Sequence, residues 1–291
     1  MILLDYIYDF KNLFVLRLDS HQHFWQYNPE KHTWINNEMS VLKKDYLPED
    51  LQGELAATNI DGTIAVQAEQ SEDETAFLTR LADKNPIIKG VVGWTDLFSD
   101  YLPEKLDEYR KYPVIKGFRH VVHDEPDDDF MLQPGFIRGI KVLKVYHYTY
   151  DILIFARHIP NTIEFIENLP GVKLVIDHIG KPMIRNQEIK EWERGIREIA
   201  QCKDVYCKLS GMITEARWNS WNKEDIYPYM DVVFDAFGTE RIMYGSDWPV
   251  CLLAGEYVKV HGLVNDYIAL YYPETQDRIM GKNAMKFYNI D

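Results

Sequence analysis

Val172-Lys173-Leu174-Val175-Ile176-Asp177-His178-Ile179-Gly180-Lys181-Pro182 is an almost continuous apolar run that ends in an aspartate, a histidine and a Gly-Lys-Pro turn. A strand with one wet face alternates apolar and polar residues, whereas a strand covered on both faces is apolar throughout. The run therefore predicts a buried parallel strand with a polar C-terminal end. Parallel neighbours need a crossover between them, most often a helix.

Working outward, segments of the same kind recur at residues 13–18, 62–67, 87–94, 113–120, 149–154, 205–210 and 241–249. Helical spacing of apolar residues, or proline and acids in a first turn, predicts helices between them over residues 48–59, 72–84, 103–111, 134–145, 161–168, 188–201 and 228–237. Two more, over 256–272 and 273–288, close the chain. About eight strands alternating with helices, with no linker or internal repeat, predict an α/β fold of the (β/α)8 TIM-barrel type over residues 17–291. Residues 1–16 are read as an N-terminal extension. Asp5 and Asp9 and the lack of a basic region argue against a signal peptide there.

Composition excludes several classes of function. The 291 residues are 46% hydrophobic, ample for a large core, and the formal charge of −14 comes without a cluster of Lys and Arg. Phosphate backbones are bound by such clusters, so no nucleic-acid partner is expected. No apolar run reaches the roughly 20 residues needed to span a bilayer, so no membrane partner is expected either. Cys202, Cys207 and Cys251 are odd in number and irregularly spaced. They read as reduced core thiols, which points to a cytoplasmic protein.

Catalytic groups of a barrel collect at the C-terminal ends of its strands. His21, His23, Gln67, Glu69, Asp96, Arg119, His120, Asp151, His178 and Asp247 are all expected at or just past strand ends. His21 and His23, two apart, would face the same way, with Gln22 turned away. Such a pair can grip a cation or a substrate oxygen, or simply be two satisfied polar residues. Asp247 lies between Gly245-Ser246 and Trp248-Pro249, a stiff turn that can aim a carboxylate as a general base or merely cap itself. The other histidines, His32, His123, His147, His158 and His261, are expected to be exposed or locally bonded. The acidic run Asp124-Glu125-Pro126-Asp127-Asp128-Asp129 is expected to be a solvated loop, because neighbouring carboxylates cannot all face one ion. The aromatic stretches 24–45 and 212–229 are candidate cavity walls.

Taken together, His21-Gln22-His23, residues 116–122, Asp124-Glu125-Pro126, residues 177–182 and Gly245-Ser246-Asp247-Trp248-Pro249 resemble the amidohydrolase superfamily. More narrowly, they are similar to its aldonolactonase branch, which acts on L-fucono- and L-rhamnono-lactones and is related to the pyrone-dicarboxylate lactonases. The resemblance runs from about Arg17 to Asn289. It implies an amidohydrolase-like barrel in which Asp247 activates water, with His21, His23 and His178 around the scissile carbonyl; Arg119 is a further candidate catalytic residue, as a donor to the same oxygen. Candidate substrate-binding residues are Trp25, Gln67, Glu69, His120, Asp151 and Trp248. His21, His23, His178 and Asp247 form the candidate metal set, for at most one divalent ion, zinc, which the reaction does not strictly require.

The expected activity is hydrolysis of a small-molecule sugar lactone. A metal-dependent decarboxylase of the same superfamily and a non-catalytic sugar-binding barrel are the alternatives. Assembly into a homo-oligomer is left open.

Overall fold

A computed structural model describes residues 15–291, so residues 1–14 of the expected extension lie outside it. Eight strands follow one another around a sheet in chain order: β1 (Leu18–Gln22), β2 (Gly62–Val66), β3 (Ile88–Gly93), β4 (Ile115–Val121), β5 (Thr149–Leu153), β6 (Leu174–Ile176), β7 (Val205–Leu209) and β8 (Ile242–Tyr244). Every neighbouring pair is parallel. Just past β8 the ring closes: Asp247 N donates to His21 O at 2.8 Å, and His23 N donates to Trp248 O at 2.7 Å. Asp19 braces the same seam, accepting from Ser246 N at 2.9 Å and from Ser246 Oγ at 2.6 Å.

The outer ring is α1 (Pro48–Thr58), α2 (Glu72–Lys84), α3 (Leu102–Tyr109), α4 (Pro134–Val145), α5 (Ile159–Glu167), α6 (Lys190–Ile199), the single turn α7 (Met212–Glu215), α8 (Lys223–Phe237) and α9 (Tyr257–Tyr271). A last helix, α10 (Asn283–Tyr288), covers the N-terminal end of the barrel. Its Ala284, Phe287 and Tyr288 pack against Leu18, Ile64, Val66, Val92, Val175 and Met243, the inward apolar layer. Phe287 and Tyr288 are each 1% exposed. Aromatic side chains of this kind bury on the order of 150–250 Å², several kcal/mol each at about 25 cal/mol per Å².

A bulge sets the direction of the histidines. Leu18 pairs with inward Gly62, but Gln22, four residues on, pairs with outward Ala65, only three residues on from Gly62, so β1 carries one residue more than β2. Without that extra residue, simple alternation from Leu18 would bring Ser20 and Gln22 inward. With it, His21 and His23 point into the barrel mouth, and Gln22 points away, as expected. Re-aiming a side chain is a common use of a bulge.

Several boundaries differ from the sequence reading. The helix expected from Pro228 begins at Lys223, because Asn222 caps it by accepting from Asp225 N at 3.2 Å, and Pro228 lies inside. The helix expected over 161–168 starts at Ile159, with Pro160 in its first turn. The stretch 273–288 is not one helix but a 3-10 turn, a π-helical segment (Arg278–Lys282) and α10. The three cysteines are free, and Cys207 and Cys251 are buried. Among the described residues no helix is long and apolar enough to cross a membrane.

Candidate active site

At the C-terminal mouth of the barrel lies a cavity of about 510 Å³ whose lining includes His23, Arg119, His178 and Asp247. Asp247 stands on a left-handed turn (φ 60°) immediately after the last strand, which aims its carboxylate at three imidazoles. Asp247 Oδ1 is 3.3 Å from His23 Nε2, 3.8 Å from His21 Nε2 and 3.9 Å from His178 Nε2. His178 also has left-handed backbone (φ 53°), followed by Ile179, Gly180 and Lys181 in the same region. That coil turns the chain sharply out of β6 and swings His178 over the barrel axis, where its Nδ1 shares a hydrogen bond with Ser210 Oγ at 2.9 Å. Burial holds His21 and His178 well below the usual imidazole range, although Asp177 pulls both the other way. Both are therefore neutral at physiological pH, with nitrogen lone pairs to offer.

Beneath them is a buried charged layer. Lys208, inward on β7 and fully buried, reaches Asp151 Oδ2 at 2.5 Å and Asp177 Oδ1 at 3.0 Å. Tyr288 on α10 donates to Asp151 Oδ2 at 2.8 Å, so the floor of the barrel supports this layer directly. Arg119 Nη1 donates to Asp177 Oδ2 at 3.1 Å and lies 3.3 Å from His21 Nε2, while its Nη2 donates to the carbonyl of Gln67. Burial pushes Asp151 up to about 6 against the pull of Lys208. For Asp177 burial acts in the same upward sense, but Lys208, His21 and Arg119 outweigh it and hold the group well below the usual carboxylate range.

The cavity walls come from the strand-end loops. Lys31, Thr33, Trp34 and Met39 form one side, and Thr214, Glu215 and Trp218 another, so both aromatic stretches do reach the cavity. Two ion pairs sit on the rim, Lys31 with Glu69 at 3.1 Å and Lys181 with Glu215 at 3.2 Å.

Of the residues singled out from sequence, the structure brings together His21, His23, His178, Asp247 and Arg119, with Glu69 on the rim. The other five candidates for substrate contact lie elsewhere. Trp25 is buried with its indole N–H on Lys44 O, and Trp248 is buried against Phe24 and Tyr46. Both belong to the core because aromatic neighbours enclose them. Gln67 is fully buried and donates to Arg119 O at 3.3 Å, which makes it a support for Arg119. His120 faces outward to Glu125 at 2.7 Å and Trp94 at 3.3 Å. Asp151 is the middle residue of β5, not its end, and is sealed beneath the histidines by Lys208.

Two expectations are corrected. His123 is neither exposed nor merely local: it lines the cavity, stacked on Phe155 with ring centroids 4.4 Å apart. Burial drives its imidazole far below the usual range. The acidic run is not simply solvated, since its carboxylates splay to separate partners: Asp124 to His123, Glu125 to His120, and Asp128 to Arg157 and His158. Sequence reasoning also passed over Asp177 and Lys208. A lysine within an otherwise buried strand was the available signal.

The donor set suits one cation. His23 Nδ1 donates to Val66 O at 2.8 Å, so its Nε2 carries a lone pair, and that atom faces His21 Nε2 at 3.2 Å and Asp247 Oδ1 at 3.3 Å. His21, His23 and Asp247 thus converge as two nitrogens and a carboxylate oxygen, a mixed set of the kind zinc accepts. A second grouping, His21, Asp177 and His178, is less suited, because Asp177 already faces Arg119 and Lys208.

Comparison with known proteins agrees with this geometry. A family model described as "Amidohydrolase" matches residues 18–290. An L-fucono-1,5-lactonase of Burkholderia multivorans is 42% identical over 259 residues, covering 86% of this chain and 87% of that protein. An L-fucono-1,5-lactonase of Burkholderia ambifaria is 32% identical over 283 residues, covering 94% and 96%. The crystal structure of an amidohydrolase from Burkholderia multivorans with bound zinc superposes with a TM-score of 0.92 at 39% identity, covering 95% of this chain and all (100%) of that one.

Proposed function

The chain belongs to the amidohydrolase family, and from that premise we propose that it is a lactonase opening the ring of a sugar-derived aldonolactone of the L-fucono-1,5-lactone type. The observation that carries the chemistry is Asp247, whose carboxylate meets three imidazoles at the floor of a cavity large enough for one sugar ring. The names of the two Burkholderia relatives supply the substrate class.

In this reading Asp247 takes a proton from a water held against the lactone carbonyl, and the water oxygen bonds to that carbon. The tetrahedral intermediate collapses as the ring C–O bond breaks. Asp247, now protonated, returns its proton to the departing ring oxygen, giving the open hydroxy acid. A positioned base of this kind contributes about 10²- to 10⁴-fold. Arg119, which lines the cavity, adds fixed positive charge near where the carbonyl oxygen becomes negative. His21, His23 and Asp247 would hold one divalent ion, with zinc the best match to two imidazoles and a carboxylate. Such an ion, when bound, acts as a Lewis acid on the carbonyl. Glu69, Glu215 and Lys181 provide hydrogen-bonding groups for ring hydroxyls, and Trp34 and Trp218 provide flat apolar faces.

The decarboxylase alternative calls for arginines free to hold a substrate carboxylate. Arg119 is the one arginine among the described cavity residues, and Asp177 and Gln67 already engage it. The aromatic walls would serve a non-catalytic sugar binder, but that role gives Asp247 nothing to do. The net negative charge without a basic cluster, and the free thiols, fit a cytoplasmic enzyme of small metabolites. A panel of five- and six-membered aldonolactones, followed by proton release, tests the proposal. Turnover of an L-fucono-1,5-lactone is the expected result, and inertness toward the whole panel would remove it.

A further inference from the structure

His21 Nδ1 lies between an acceptor and a donor. Asp177 Oδ1 is 3.3 Å away and Lys208 Nζ is 3.1 Å away. A neutral imidazole has one N–H, so the ring must choose. If Nδ1 carries the proton, it donates to Asp177, and Nε2 presents a lone pair to the cavity, where Arg119 Nη1 donates to it at 3.3 Å. If Nε2 carries the proton, Nδ1 accepts from Lys208, and the Nε2 proton can reach His23 Nε2 at 3.2 Å only while facing the N–H of Arg119 at 3.3 Å.

The surroundings favour the first arrangement. The ammonium of Lys208 already has two carboxylates, Asp151 at 2.5 Å and Asp177 at 3.0 Å, so it does not need the imidazole. Arg119, fixed by Asp177 on Nη1 and Gln67 O on Nη2, cannot turn its N–H groups away from His21. We propose that Asp177 is a positioning residue that sets the tautomer of His21, holding its proton on Nδ1 so that Nε2 faces Asp247 and His23 as a lone pair. Lys208 and Arg119 clamp the Asp177 carboxylate from either side and keep it aimed. A carboxylate behind a ligating histidine is a recurrent way to orient the ring, and its loss costs about 10- to 100-fold in metal affinity or activity. The inference concerns the hydrolytic site proposed above, but its readouts need no turnover.

The test is long-range ¹H–¹⁵N spectroscopy of the full chain labelled at histidine, with His21 assigned by its loss in His21→Asn, together with zinc titration against a chelating dye. The wild type should show the Nδ1–H tautomer at His21. In Asp177→Asn one of the two carboxylate oxygens becomes an NH2 group, so Arg119 and His21 no longer each face an acceptor, and the tautomer should move to Nε2–H and zinc affinity should fall about 10- to 100-fold. Lys208→Met should leave the tautomer where it is, because it removes the competing donor while Arg119 still holds the Asp177 carboxylate. A wild-type His21 with its proton on Nε2 would overturn the proposal whether or not the variants fold. So would an Asp177→Asn protein that keeps both the Nδ1–H tautomer and the wild-type zinc affinity.

Discussion

Asp247 Oδ1 stands 3.3 Å from His23 Nε2, and the second nitrogen of that imidazole is tied to the carbonyl of Val66 on β2. The Asp247 carboxylate is thereby referenced to a strand far from its own in sequence. His23 cannot rotate without breaking a buried hydrogen bond, so the pair is held as a unit.

Replacing Asp247 with Asn keeps size and shape but removes the basic oxygen. We expect a folded protein whose turnover falls at least about 10²-fold, the usual scale for a positioned general base. Initial rates alongside circular dichroism decide it, and near-normal hydrolysis would exclude Asp247 from proton transfer.

Gly211 guards the other side of the site. Its backbone is left-handed (φ +60°), and a Cβ there would lie 2.5 Å from Nδ1 of His178. Gly211→Ala should therefore displace His178 and lower activity by at least about tenfold. The left-handed backbone adds a stability cost of about 1 kcal/mol. Thermal melts and kcat, measured on the same preparation, separate the two effects.

Lys208 is fully buried between Asp151 and Asp177. Lys208→Met leaves two carboxylates without their shared cation, and we expect a loss of about 3–5 kcal/mol, the range for breaking a buried pair from one side. Adding Asp151→Leu should recover part of it, since the pair is then replaced by apolar volume. Urea midpoints of both variants test this, and a single variant as stable as wild type would show that the lysine carries no such load.

Glu74 on α2 is buried, accepts from Ala68 N at 3.2 Å, and is pushed up to about 7 by that burial. A carboxyl whose folded-state pKa is raised contributes stability that is present below the unfolded value near 4.5 and is lost as pH rises through 7. Asp19 and Asp151, both pushed up to about 6 by burial, act in the same sense. The buried neutral histidines act oppositely below about 6.5. The difference between Glu74→Gln and wild type isolates the one group. We expect it to grow in favour of the variant from pH 5 to pH 8, by up to about 3 kcal/mol. Equal melting curves at both ends would refute this.

Elemental analysis should find at most one divalent ion per chain, removable by a chelator. With Asp247 and Arg119 in place, we expect the stripped protein to retain measurable hydrolysis and zinc to raise it. Two tightly held ions per chain would mean that the His21, Asp177 and His178 group also serves as a ligand set.

The alternation of strands and helices was legible because buried parallel strands are apolar along their whole length, and their polar ends stand out against that background. His21, His23, His178 and Asp247 were legible for the same reason. Asp151 and Lys208 were not. Each sits inside a strand, and whether an inside position faces the barrel or the helices depends on register, which a neighbouring strand decides. Trp25 and Trp248 misled because aromatic residues near a strand end can serve a cavity or a core, and Tyr46, which packs against both, is remote in sequence from Trp248. The bulge in β1 left no mark in composition at all.

The seam between the first and last strands has a temporal consequence. His21 and His23 belong to one side and Asp247 to the other, and the Asp19–Ser246 bond that braces it spans 227 positions. An open sheet with seven of its pairings made would look native by most spectroscopic measures yet have the Asp247 carboxylate and the imidazoles of His21 and His23 apart. Bringing such distant segments together is the slow, entropy-limited part of assembly. Recovery of turnover during refolding should therefore lag recovery of secondary structure, making the reaction itself a clock for the moment the ring shuts.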